Sequence, residues 1–241
     1  MKTSKFIMST AAAVAVFFGV GAASAADLAV KAAYAAAPAF SWTGCYAGLH
    51  AGAGVLLDQG FENGAADRHG IGGIAGGQIG CNYQTGMLVV GIEGEGSWSG
   101  MRVTQDQFFG PNNALSASAS IKNKWDFDIA GRFGVAFERA LVYGKAGWVF
   151  GGFDWNFATV DGVFSDRASA TMNGLLIGVG LEYAFLNNWT AKFEYDYLGF
   201  GAKNVTFNST CTTCNPVTQT FIQSVSADKH IFKVGVNYKF F

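Results

Sequence analysis

The sequence predicts an all-β protein, an eight-stranded antiparallel up-and-down transmembrane β-barrel. Three observations carry that expectation. Period-2 alternation of apolar and polar residues recurs from Trp42 to the end of the chain, tight turns alternate with long polar connections, and an exporting leader precedes both.

The leader comes first in the chain. Lys2 and Lys5 form a basic n-region, an apolar run follows from Ala11 to Ala23, and Ala23-Ser24-Ala25 is a small-residue cleavage site, the order of a secretory signal peptide at 1–25. A retained membrane helix fits worse, because the run is short of the ~20 residues a span needs. Residues 26–41, Ala-rich and without periodicity, are expected to be a flexible periplasmic leader, and 42–241 the barrel domain.

Half of the residues are hydrophobic, 22 are Phe, 33 are Gly and only 14% are charged. Polar residues are too few to dress the outside of a soluble barrel. Without Lys2 and Lys5 the 16 basic residues fall to 14 against 17 acidic ones, a mature charge of −3 with no clustered basic face, which argues against nucleic acid as a partner.

Strands are expected near 42–55, 71–83, 87–101, 122–137, 141–155, 169–184, 189–201 and 229–240. The clearest is the fourth. Trp125, Phe127, Ile129, Gly131, Phe133, Val135 and Phe137 share one face, and Lys124, Asp126, Asp128, Ala130, Arg132, Gly134 and Ala136 the other. Turns at Gln84-Thr85-Gly86, Glu138-Arg139-Ala140 and Leu186-Asn187-Asn188 are tight, whereas 56–70, 102–121, 156–168 and 202–226 read as long polar loops. In such barrels short turns face the periplasm and long loops the outside.

Which face meets lipid decides the function class. A soluble barrel would turn Phe133 and Trp148 inward. The signal peptide favours the opposite sense, as do the aromatics placed near strand ends: Tyr83, Trp98, Trp125, Phe137, Trp148, Tyr183, Trp189, Tyr238 and Phe240. The lumen then receives Glu93, Glu95, Asp126, Asp128, Arg132, Lys145, Glu182, Lys192, Glu194, Asp196, Lys233 and Lys239, with His50, Gln78, Asn82 and Asn237. Both signs are present and an eight-stranded barrel is wide enough only for its own side chains, so a paired polar plug is expected, with Arg132, Lys145 and Lys192 neutralising Asp126, Asp128, Glu93 and Glu194.

All four cysteines lie in the exported part, where disulfides are the default. Cys45 and Cys81 share the lipid-facing parity of neighbouring antiparallel strands, near the same end of both, and are expected to bridge. Cys211 and Cys214 form a CxxC in a Thr/Asn-rich loop, without a second pair or a nearby His. It reads as a small local disulfide rather than a metal or redox site.

Several segments together resemble a known family. Trp42-Thr43-Gly44-Cys45-Tyr46-Ala47-Gly48, Gly76 to Gln84, Gly91-Ile92-Glu93-Gly94, Val179 to Tyr183, Trp189 to Tyr195 and the ending Val236-Asn237-Tyr238-Lys239-Phe240 are similar to the small alphaproteobacterial outer-membrane barrels, the porin-family and 25–31-kDa outer-membrane proteins that include opacity-like surface antigens. The resemblance implies an outer-membrane location, a structural or surface-antigen role, contact with lipopolysaccharide, and assembly by the barrel machinery through a terminal aromatic signal at Tyr238, Phe240 and Phe241. This chain carries Phe241 beyond the usual ending, which leaves open whether Phe240 or Phe241 is read. Some relatives bind haem, but no haem-ligand motif can be carried over, and no cofactor is expected.

The candidates for catalysis are His69 with Asp67 and Arg68, and His230 near Asp228. Neither stands beside a Ser in a recognisable motif, and loose co-occurrence of triad residue types does not make a site. The expectation is a non-enzymatic structural, surface or adhesive barrel. The alternative is a narrow porin or an uptake barrel for haem or another small ligand.

Overall fold

The computed structural model describes residues 40–58, 68–108, 115–215 and 218–240. The expected signal peptide, most of the leader and of the first loop, and Phe241 lie outside these residues. The described residues form nine strands: β1 (Gly44–Asp58), β2 (Arg68–Thr85), β3 (Leu88–Ser99), β4 (Arg102–Phe108), β5 (Leu115–Phe137), β6 (Ala140–Thr159), β7 (Phe164–Ala184), β8 (Trp189–Cys211) and β9 (Thr218–Lys239). They run β3-β2-β1-β9-β8-β7-β6-β5-β4, and a β3–β5 pairing closes the ring.

β3 and β4 are two segments of one stave. β3 pairs with β5 as far as Trp98↔Trp125, and β4 resumes at Arg102↔Lys122. Across the gap Gly100 N donates to Gly73 O at 2.9 Å and Asn123 N to Met101 O at 3.0 Å. The result is an antiparallel barrel of eight staves, sealed by β1 against β9. Closure leaves no edge along it, which is what a bilayer demands of a sheet.

Large apolar side chains point outward. Phe133 is 58% exposed and Trp148 44%, the reverse of a soluble barrel. On β5 the outward set runs from Phe137 to Trp125, twelve residues apart, and at the usual rise and tilt this spans roughly 30 Å, enough for a hydrocarbon band with its aromatic girdles. Trp148, expected near a strand end, sits mid-strand in β6.

The two-residue turns Gly86-Met87 and Glu138-Arg139 carry positive φ at their first residue, 59° and 52°. That pattern matches the right-handed twist of the flanking strands. At the opposite end the strands run well past the expected limits. Most of 102–121, 156–168 and 202–226 is strand rather than loop: β5 reaches back to Leu115, β7 to Phe164, β8 extends to Cys211 and β9 begins at Thr218.

The reason is a change of sides. On β6 the outward residues are apolar through Phe150 and then become Asp154 and Asn156, while the inward ones become Phe153 and Trp155. Beyond the lipid, water is outside, so the apolar residues must turn in. A bulge between Asn123 and Trp125 also breaks the expected alternation on β5. Asn123 and Asp126 both point in, and Lys124 points out to bond Asp154 at 2.5 Å rather than sharing a face with Asp126.

Candidate functional site: the barrel interior

The interior is built in three layers. At the turn end Trp42, Val89, Ala136, Leu141, Tyr143 and Ala184 pack with Phe40, and Trp42 N donates to Gln84 Oε1 at 2.7 Å. At the loop end a larger apolar core includes Leu56, Met101, Phe153, Trp155, Met172, Phe200 and Phe207. Between them lie the charges.

Glu93, Glu95, Asp126, Asp128, Arg132, Lys145, Glu182, Lys192, Glu194, Asp196 and Lys233 all point inward and are buried. Arg132 donates through Nη2 to Glu182 at 2.7 Å, and its Nη1 lies 3.4 Å from Glu93. Lys145 reaches Glu194 at 2.8 Å and lies 3.3–3.7 Å from Glu95, Asp196 and Glu93. Lys192 bonds Glu95 at 2.6 Å. Lys233 bonds Glu95, Asp196 at 2.6 Å and Glu194 at 2.9 Å. Shared partners make this one network, so each cation is compensated by more than one acid.

Three expectations about this network are corrected. Asp126 is neutralised by Lys229, not by Arg132, Lys145 or Lys192, and Lys229 also donates to Asn123 Oδ1 at 2.9 Å. The β5 bulge, which turns Asn123 inward, is what gives Lys229 that second partner. Lys239 lies at the turn-end rim, where Nζ bonds Ser41 O and sits 4.6 Å from the Phe40 ring centroid. Asp128 is buried and forms no ion pair among the described residues.

Sequence reading missed Tyr46 and Tyr143. Each lies over a glycine that is its direct cross-strand partner, Gly80 and Gly180. A Cβ on either glycine would collide with the phenol, so only glycine lets the ring lie flat across the narrow lumen. The hydroxyls then donate to Glu93 at 2.7 Å and Glu194 at 2.6 Å. The Arg132 guanidinium sits 3.9 Å from the Tyr143 ring centroid. Parity with Lys233 and with Lys145 would have found Lys229 and Tyr143.

Beside the charges, His50 Nδ1 is 2.7 Å from Gln78 Oε1 and its Nε2 2.7 Å from Ser97 Oγ. Gln78 donates to Asn237 Oδ1 at 2.7 Å, and Asn237 to Glu182 Oε1 at 2.8 Å. Ser97–His50–Gln78 has the spacing of nucleophile, base and orienter. Its third member, however, is an amide tied into the structural network rather than a carboxylate. His230 instead faces outward, with Nδ1 2.7 Å from the Tyr195 hydroxyl, and His69 is exposed on β2. Asp67 and the Arg68 side chain lie outside the described residues. Oxygens of Glu93, Glu95 and Glu194 approach within 4.8 Å of one another, a spacing a metal ion could bridge. Lys145, Lys192 and Lys233 already bring ammonium groups to that position.

Cys45 and Cys81 are direct register partners on the outer wall and form a disulfide, and Cys211 and Cys214 form a second at the end of β8. Tyr238 and Phe240 point outward at the turn end beside Trp189, and Phe240 N donates to Cys45 O at 2.9 Å.

An edgeless barrel with an apolar wall and a polar, filled interior defines a membrane-spanning β-barrel of the outer-membrane class. The chain belongs to the outer membrane protein beta-barrel domain family, whose model matches residues 10–240. It is similar to a 31 kDa outer-membrane immunogenic protein of Brucella melitensis, with 34% identity covering 95% of this chain and 98% of that protein. It is also similar to a 22 kDa outer membrane protein of Rhizobium leguminosarum bv. viciae, with 30% identity covering 84% and 80%. These are the alphaproteobacterial outer-membrane barrels that the sequence resembles, and the chain is an outer-membrane surface protein of that kind. Among solved structures, the outer membrane protease OmpT of Escherichia coli aligns with TM-score 0.52 and 11% identity, covering 85% of this chain and 99% of that one. At that identity the likeness shows the fold alone.

Proposed function

We propose that this chain is a structural and surface barrel of the outer membrane whose lumen is closed by its own side chains, and that it works neither as a pore nor as an enzyme. The observation that carries this reading is the stacking of the interior. A layer of mutually paired charges lies between two apolar layers, so an ion entering from either end meets hydrocarbon before it meets polar groups. The charged layer is held by interactions that an isolated chain could make only inside a closed ring. Its role is to fill and brace the barrel.

In this reading the two-residue turns face the periplasm and the β5, β7, β8 and β9 extensions stand outside the cell, the usual sidedness of such barrels. The Brucella relative is named immunogenic, which accords with surface exposure. Cleavage after Ala25 would release the mature chain, and the aromatic ending at Phe240 or Phe241 would be read during assembly. Outer-membrane lipid is the partner that the wall meets, with lipopolysaccharide against its loop-end half.

Recording from purified protein in planar bilayers tests the closed lumen. The expected outcome is no stable unit conductance. A reproducible single-channel step would overturn the plug and favour a narrow porin or uptake barrel.

A further inference from the structure

The outer wall changes from apolar to polar abruptly at the loop end, and the first polar residues there are not a random mixture. Trp98 and Trp125 face each other across β3 and β5, the last outward aromatics before Arg102 and Lys122. Immediately beyond them come Arg102 on β4 and Lys122 on β5, which are direct cross-strand partners, with Lys124 turned outward by the bulge beside Trp125. Like charges placed opposite one another repel. Among the described residues the one acid beside them is Asp154, the partner of Lys122 on β6.

Asp154 is already engaged. It is bonded by Lys124 at 2.5 Å and by Ser169 Oγ at 2.8 Å. Neither Arg102 nor Lys122 forms an ion pair among the described residues, and the next acid on β4, Asp106, lies four residues on, roughly 13 Å along the strand. Three cations therefore face one carboxylate at the height where an aromatic girdle marks the lipid headgroups.

We propose that Arg102, Lys122 and Lys124 bind the phosphate groups of an outer-leaflet lipid headgroup. Arg102 supplies a forked donor suited to phosphate, the two lysines supply point charges, and Trp98 and Trp125 seat the adjoining hydrocarbon. The site rests on the outer-membrane reading above and gives it a specific lipid contact. A phosphate oxygen between Arg102 and Lys122 also removes the repulsion that the register would otherwise impose.

The test uses the full-length barrel in detergent with a bisphosphorylated lipid A and its dephosphorylated form as probes, and with Arg102→Gln/Lys122→Gln/Lys124→Gln against a turn-end control, Arg139→Gln. Heat-modifiable gel mobility reports that each variant is folded, and outer-membrane fractionation checks the parent reading separately. The expected result is at least about tenfold weaker binding of the phosphorylated probe by the triple variant, with the control unchanged and the dephosphorylated probe weak on both. Equal binding by wild type and triple variant would overturn the site, as would an equal loss for both probes, which would assign the contact to hydrocarbon packing. A barrel that binds as expected but is missing from the outer membrane would overturn the location instead.

Discussion

Arg132 and Glu182, fifty residues apart, meet inside the barrel with Nη2 2.7 Å from Oε2. Glu182 also accepts from Thr190 and Asn237, both at Oε1, so the guanidinium takes the other carboxylate oxygen. Arg132 in turn holds Tyr46 and faces Glu93. Removing the arginine leaves two buried carboxylates short of a cation. Arg132→Ala is expected to destabilise the barrel by about 3–5 kcal/mol, the usual effect of breaking a buried pair. Arg167→Ala, an exposed position near the loop end of β7, should lie within about 0.5 kcal/mol of wild type. Urea unfolding in micelles measures both, and equal midpoints would argue against a network that stabilises the fold.

The change of sides along each strand predicts an asymmetry between two phenylalanines. Phe153 is 1% exposed in the loop-end core, while Phe127 stands outward in the membrane band at 44%. Phe153→Ala should cost about 3–5 kcal/mol through the cavity it leaves. At Phe127 lipid fills the space, and the loss should be much smaller. A larger effect at Phe127 would mean that the wall is packed against protein rather than lipid.

The Cys45–Cys81 bridge closes a loop of 36 residues between β1 and β2. Replacing both by Ser should lower stability by roughly 3–4 kcal/mol on the chain-entropy account. Non-reducing peptide mapping of the wild type should recover the Cys45–Cys81 and Cys211–Cys214 pairs. A Cys45–Cys211 link would contradict the register of β1 against β2.

Sidedness is open to labelling on intact cells. A short tag inserted at Gly162, in the turn between β6 and β7, should react with a membrane-impermeant reagent, and one at Asn187 should not. The reverse pattern would invert the barrel in the membrane.

Much of this was legible in the sequence because a barrel wall imposes a strict period of two on residues that see lipid on one side and a filled lumen on the other. Parity put Glu93, Arg132, Lys145 and Lys233 on one face and Phe133 on the other, and the signal peptide with the strand-end aromatics decided which face met lipid. It failed at Lys124, because a bulge adds a residue and flips the count, and bulges leave no reliable trace in composition. It also failed where the strands leave the membrane. Segments such as Asn204 to Thr210 keep their alternation, but with Val205 and Phe207 now inward and Asn204, Thr206 and Asn208 outward, so a polar stretch that reads as loop continues as strand.

The sequence by itself determined the class: an exported chain with eight alternating segments, tight turns between long connections, and a charge set confined to one parity. Those are local properties, set by which side of the backbone a residue occupies. Which acid meets which base was decided only by the closed ring. Lys229 reaches Asp126 across the lumen from β9 to β5, and Lys145 meets acids from β3 and β8 at once. Strand stagger and barrel diameter fix those distances, and neither is a property of any one segment. The same holds for the glycines under Tyr46 and Tyr143. Their meaning lies in a ring supplied by the neighbouring strand, which only the register brings into place.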